Sequence, residues 1–184
     1  MAEPATLDCR TGLLRILPVL LDTEDIAAYR RGRSAKGSQH MGRAGIQEAL
    51  SEIAREYGLT AIYAFGSRAG EVAAQVASNP VESVHPSSDV DIGVLPARGR
   101  RLTARERVRL AIALEDALDV KRVDLVILPE ASPYLALEVV RGELLYTTDP
   151  DAEAEYQLYV LRRAGDLAPY QRERLRMILA GEAI

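Results

Sequence analysis

Apolar side chains recur at helical intervals in some stretches of this chain and run together in others. Ile46, Leu50, Ile53 and Tyr57 fall on one helical face, and Gly58 supplies the left-handed residue that commonly stops a helix. The largely apolar run 59–65 has the length and aromatic content of a buried strand and ends on Gly66-Ser67. Small helix-compatible residues follow, broken at Asn79-Pro80 and again at Pro86-Ser87-Ser88, so 69–88 reads as a short helix and a loop. DVDIGVL (89–95) is a second strand, closed by the turn-prone PARGRR. Thr103 with Glu106 three residues later forms a capping box before a helix whose Val108, Ala111, Ile112 and Leu118 share a face. RVDLVIL (122–128) is a third strand. Ser132-Pro133 opens a helix closed by Gly142, and ELLYTT is a short fourth strand. Asp149-Pro150 starts a helix to about Arg163, and a last one runs from about Ala168 to Ala180. The expected fold class is α/β (α+β): a small mixed sheet with flanking helices and a helical tail.

The stretch YRRGRSAKGSQHMGRAG (29–45) has no periodicity and is rich in Gly, Arg and Ser. Residues 1–45 are therefore expected to be an appendage, a linker or a disordered arm, and 46–184 the folded domain. Within the appendage, LLRILPVLL (13–21) is a short core segment or unordered. Of the 184 residues 48% are apolar, enough for one sizeable core. A net charge of −4, mixed along the chain, argues against a protein that mainly clamps nucleic acid. One cysteine, Cys9, cannot form a disulfide within the chain, and with only His40 and His85 there is no zinc-site spacing, which fits a reducing, cytoplasmic setting. No run approaches the roughly 20 apolar residues that span a bilayer, so no membrane partner is expected.

The candidate chemistry lies at the strand ends. Side chains at i and i+2 of a strand share a face, which sets Asp89 and Asp91 side by side, roughly 7 Å apart along the backbone, while Val90 and Ile92 turn to the core. Two such carboxylates repel unless a cation sits between them, and Mg²⁺ is the natural hard ion for carboxylates plus substrate phosphates. Asp124 is the lone acid in the third strand. If it faces the same way, three carboxylates surround a site for two metal ions, and Asp124 can also accept a proton from an attacking hydroxyl. A strand ending on Gly66-Ser67 lets backbone N–H groups and a hydroxyl approach a phosphate, with Arg68 adding charge. His85 reads as a polar loop residue. Tyr156, Tyr159 and Tyr170 read either as core-edge packing or as a partner surface.

FGSRAG, SDVDIGV and RVDLVIL, in this order, resemble the minimal nucleotidyltransferases of the polymerase-beta-like superfamily. SPYLALEVVRGELLYTTDP and the following AEYQLYVLRRAGDLAPYQRERLRMIL are similar to the C-terminal half of the antitoxin member of HEPN/MNT toxin–antitoxin pairs, so the likeness spans roughly 46–180. The resemblance implies that Gly66, Ser67 and Arg68 hold a nucleotide triphosphate. It further implies that Asp89 and Asp91 bind Mg²⁺ and that Asp124 completes the site as ligand or base. The implied reaction is transfer of AMP from ATP to a tyrosine hydroxyl of a cognate HEPN ribonuclease toxin, held as a hetero-oligomer, with no direct nucleic-acid contact. Two alternatives stay open: transfer to a small molecule such as an aminoglycoside, and neutralisation by contact alone. The chain departs from the pattern in having Ala69 directly after Arg68, and in the 21 residues between Ser67 and Asp89, a longer spacer than the family's.

Overall fold

Residues 43–77 and 89–180 are described by a computed structural model of the chain. The 13–21 segment, almost all of the 1–45 appendage, and the part of the 69–88 insertion that holds His85 lie outside the described residues. Helix α1 (Arg43–Tyr57) begins inside the stretch read as linker and ends where Gly58 takes φ 65°. Strand β1 (Leu59–Phe65) follows and passes through a 3₁₀ turn, Gly66–Arg68, into α2 (Ala69–Val76). Then come β2 (Val90–Pro96), α3 (Ala104–Leu118), β3 (Val123–Ile127), α4 (Pro133–Val140), β4 (Glu143–Thr147) and α5 (Pro150–Leu179).

The four strands form one mixed sheet in the order β3-β2-β1-β4. The β1 strand runs antiparallel to both neighbours, and β2 pairs with β3 in parallel, the two joined through α3. Alternation along the strands divides the core in two. Ile62, Ala64, Val90, Ile92 and Val94 face α1, α2 and α3, whereas Ala61, Tyr63 and Leu95 face α4 and the start of α5. Asp91, between Val90 and Ile92, therefore belongs to the α4 side of the sheet.

The capping box at α3 forms as expected: Thr103 Oγ1 accepts from the Glu106 N–H at 3.3 Å, and the Glu106 carboxylate accepts from the Thr103 N–H at 2.7 Å. The buried face of α3 includes the expected Ile112 and Leu118 but is shifted at the other two positions. Leu110, Leu114 and Leu118 lie at its centre, while Val108 and Ala111 are only half-buried, because α3 packs against both the sheet and α1 and turns its larger leucines inward.

The largest difference is at the C-terminus, where the two expected helices are one helix, α5, with Pro169 inside it. Proline removes the hydrogen bond that its N–H would make to the carbonyl of Gly165. Both residues are exposed, so water can satisfy that carbonyl. The first turns of α5 are fastened to the sheet by Tyr63, whose buried hydroxyl donates to the buried Glu153 carboxylate; Gln157 donates to the same oxygen. Burial first, and then this bond, push the Tyr63 phenol well above its ordinary range. Past Ala164 no residue of α5 is buried.

Candidate active site

The end of β1, the start of β2 and the start of β3 meet at one edge of the α4-facing side of the sheet. Phe65 pairs with Asp91 across the antiparallel ladder, and Asp91 pairs with Asp124 across the parallel one. The long spacer between Ser67 and Asp89 thus does not separate the two halves of the site. Antiparallel pairing returns the chain to the same sheet edge whatever the length of the connection, and added loop length costs little free energy.

Gly66, at φ 74°, stands against the Asp91 carboxylate. A Cβ there would lie 2.5 Å from Asp91 Oδ2 and 3.4 Å from its Cγ. Glycine is thus demanded twice, by the left-handed backbone and by the carboxylate that fills the space a side chain would need. Gly66 and Ser67 are exposed, and the turn they begin continues directly into α2. The first N–H groups of that helical segment have no partner within it, so they offer donors to an anion at the point where the Asp91 carboxylate arrives. Arg68 is buried, and its guanidinium is engaged with the Glu71 carboxylate, Nε to Oε2 at 3.2 Å, so its charge is turned toward the first turn of α2.

Asp89 sits one residue before β2 begins and Asp91 within it, both half-buried, as is Asp124 in β3. Partial burial, then the charge of Asp124, then that of Asp89 hold the Asp91 carboxyl above the ordinary carboxylate range. The three acids therefore interact electrostatically as one group. Among the described residues, no three carboxylate, imidazole or thiolate groups stand close enough to form a ready-made metal cage. The donor set nevertheless suits a hard divalent ion. Its members are carboxylates that disfavour one another's charge, and Asp124 Oδ1 is buried without a hydrogen bond.

Arg122 is the residue that reading the sequence for acids overlooked. Its Nε lies 3.5 Å from Asp89 Oδ2 and its Nη2 3.4 Å from Asp124 Oδ1. The signal was present: Arg122 precedes Asp124 by two in a predicted strand and so shares its face. Of the tyrosines considered for a partner surface, Tyr156 packs against the α4-side core, whereas Tyr159 and Tyr170 are exposed.

A family model described as polymerase beta, nucleotidyltransferase matches residues 48–151, which include every strand and all the site residues above. Among solved structures, the chain is similar to a toxin–antitoxin complex chain crystallised with AMP-PNP, at 26% identity, TM-score 0.55, covering 72% of this chain and 98% of that one. It is also similar to a chain of the tri-AMPylated HEPN toxin–MNT antitoxin complex of Shewanella oneidensis, at 26% identity, TM-score 0.52, covering 75% and 99%. A chain of the MntA–HepT complex gives 25% identity, TM-score 0.52, covering 73% and 97%. No curated protein matches the chain. Among the described residues no helix is long and apolar enough to cross a membrane.

Proposed function

The chain belongs to the polymerase beta nucleotidyltransferase family, and from that premise we propose that it is a cytoplasmic antitoxin that transfers AMP from ATP to a tyrosine hydroxyl of a cognate HEPN-type toxin. The observation that carries this reading is the register at the sheet edge. Asp124 lies beside Asp91, and the Gly66 turn lies against Asp91 Oδ2, so an anion-binding turn and an acidic cluster share one place. The likeness over nearly the whole length of MNT antitoxin chains supports the choice of acceptor.

Each residue then has a task. The backbone N–H groups of the exposed residues Gly66 and Ser67, with the Ser67 hydroxyl, bind the triphosphate; Arg68 supports the turn through Glu71 and lends it charge. Asp89, Asp91 and Asp124 would hold Mg²⁺, which when bound neutralises charge on the triphosphate and on the leaving oxygens. Asp124, whose Oδ1 lacks a hydrogen bond, takes the proton of the attacking hydroxyl. The tyrosine oxygen forms a bond to the α-phosphorus, the bond from that phosphorus to the bridging oxygen breaks, and pyrophosphate leaves. An adenylylated tyrosine gains bulk and negative charge, which oppose RNA binding by the toxin.

The test is to incubate the purified protein with ATP, Mg²⁺ and the HEPN partner encoded beside it, and to read the intact mass of each. The partner should gain AMP increments, and Asp89→Asn with Asp91→Asn should abolish them. An authentic partner that gains no mass would refute the transfer.

A further inference from the structure

The parallel register makes a two-by-two block of charge at the sheet edge. Asp91 pairs with Asp124, and two positions earlier, just before β2 and β3 begin, Arg122 lies beside Asp89. The placement is fixed by backbone, since the Val90 N–H donates to the Arg122 carbonyl at 3.0 Å and locks the start of β2 to the start of β3. The guanidinium thereby reaches both outer carboxylates of the cluster. Its two contacts, 3.5 and 3.4 Å, are long, and neither has the alignment of a hydrogen bond; Asp124 Oδ1 keeps no donor at all. All three side chains remain about half exposed, at 49%, 41% and 42%. Arg122 is thus held by charge, loosely, in a place where a cation is needed and where it fits poorly.

We propose that Arg122 is the resident counter-cation of the acidic cluster: it offsets the repulsion of Asp89, Asp91 and Asp124 in the metal-free protein and must be displaced from Asp89 and Asp124 for a divalent ion to bind. This rests on the metal reading of the site given above. A divalent ion carries twice the charge of a guanidinium in a smaller volume and binds carboxylate oxygens at about 2.1 Å, closer than the 3.5 and 3.4 Å contacts that Arg122 makes. Arg122 is accordingly a positioning residue. It offsets the charge of Asp89 and Asp124 in the metal-free protein and competes with a divalent ion for them.

The experiment measures thermal unfolding without metal and Mn²⁺ binding by calorimetry for the full chain, Arg122→Met and Arg122→Lys. Arg122 is half exposed and its backbone bond survives substitution, so the variants are expected to fold. Arg122→Met should unfold a few degrees lower than the parent without metal, bind Mn²⁺ several-fold more tightly, and regain the parent's unfolding temperature at saturating Mn²⁺. Arg122→Lys keeps the charge and should fall close to the parent in both measurements. Unchanged melting and equal Mn²⁺ affinity in Arg122→Met would overturn the role of Arg122 alone, and weaker Mn²⁺ binding would show that it assists the metal instead of competing with it. If neither the parent nor Arg122→Met binds Mn²⁺, the metal reading of the three aspartates falls, and the displacement falls with it.

Discussion

Replacing Gly66 by alanine tests whether the Gly66–Arg68 turn and the acidic cluster are built around one another. Two costs arise at one atom. The left-handed backbone at φ 74° costs an alanine about 1–2 kcal/mol relative to glycine. The new methyl, 2.5 Å from Asp91 Oδ2, cannot coexist with the carboxylate where it stands, so Asp91 must leave its rotamer at about 0.5–1.5 kcal/mol. Together they predict a loss of about 1.5–3.5 kcal/mol, or roughly 5–12 °C of melting temperature for a domain of this size. Calorimetry on the parent, Gly66→Ala, Asp91→Ala and the double variant separates the two costs. In the double variant the clash is gone and the backbone cost remains, so the cycle should show a coupling of about 0.5–1.5 kcal/mol. A Gly66→Ala protein that melts within about a degree of the parent, or a cycle with no coupling, would refute the contact between the turn and Asp91.

Asp91→Asn removes one of three mutually repelling charges, so without Mg²⁺ its melting temperature should equal or exceed the parent's while AMP transfer is lost; differential scanning fluorimetry and the mass assay check the two halves. Tyr63→Phe deprives the buried Glu153 of one donor and should cost about 1–3 kcal/mol in denaturant unfolding, with no change expected in nucleotide binding. Leu175→Ser, at 49% exposure on the distal part of α5, should alter stability by less than about 0.5 kcal/mol in the same measurement. Glu106 is held down to about 2 by the Thr103 N–H and hydroxyl and by Arg100, against an ordinary value of 4.5. A depressed carboxylate contributes stability that is complete above its unfolded pKa and fades as pH falls from about 4.5 to about 2. Melting curves at pH 5 and pH 3 should therefore converge more closely for Glu106→Gln than for the parent.

The strands were legible because each is an apolar run bounded by residues with a local reason to stop it, and the capping box of α3 declared itself in two residues, Thr103 and Glu106. Pairing was not legible, since nothing in an isolated strand states its neighbour. The parallel step from Asp91 to Asp124 and the antiparallel step from Phe65 to Asp91 exist only in the sheet, and these two steps bring the Gly66 turn and the acids together across the long spacer. That α5 is a single helix was not legible for a related reason. A proline counts against a helix by about 3 kcal/mol in isolation, yet α5 is anchored at its first turns by Tyr63 and by the packing of Tyr156 and Val160, and Pro169 falls on the exposed stretch beyond them. Arg122 was missed because reading for acids treats a site as its negative charges. Three carboxylates at one sheet edge repel one another, so the residue to look for beside Asp89 and Asp124 was a basic one on the same face, two positions from an acid. Arg122 satisfies that condition within the quoted stretch RVDLVIL itself.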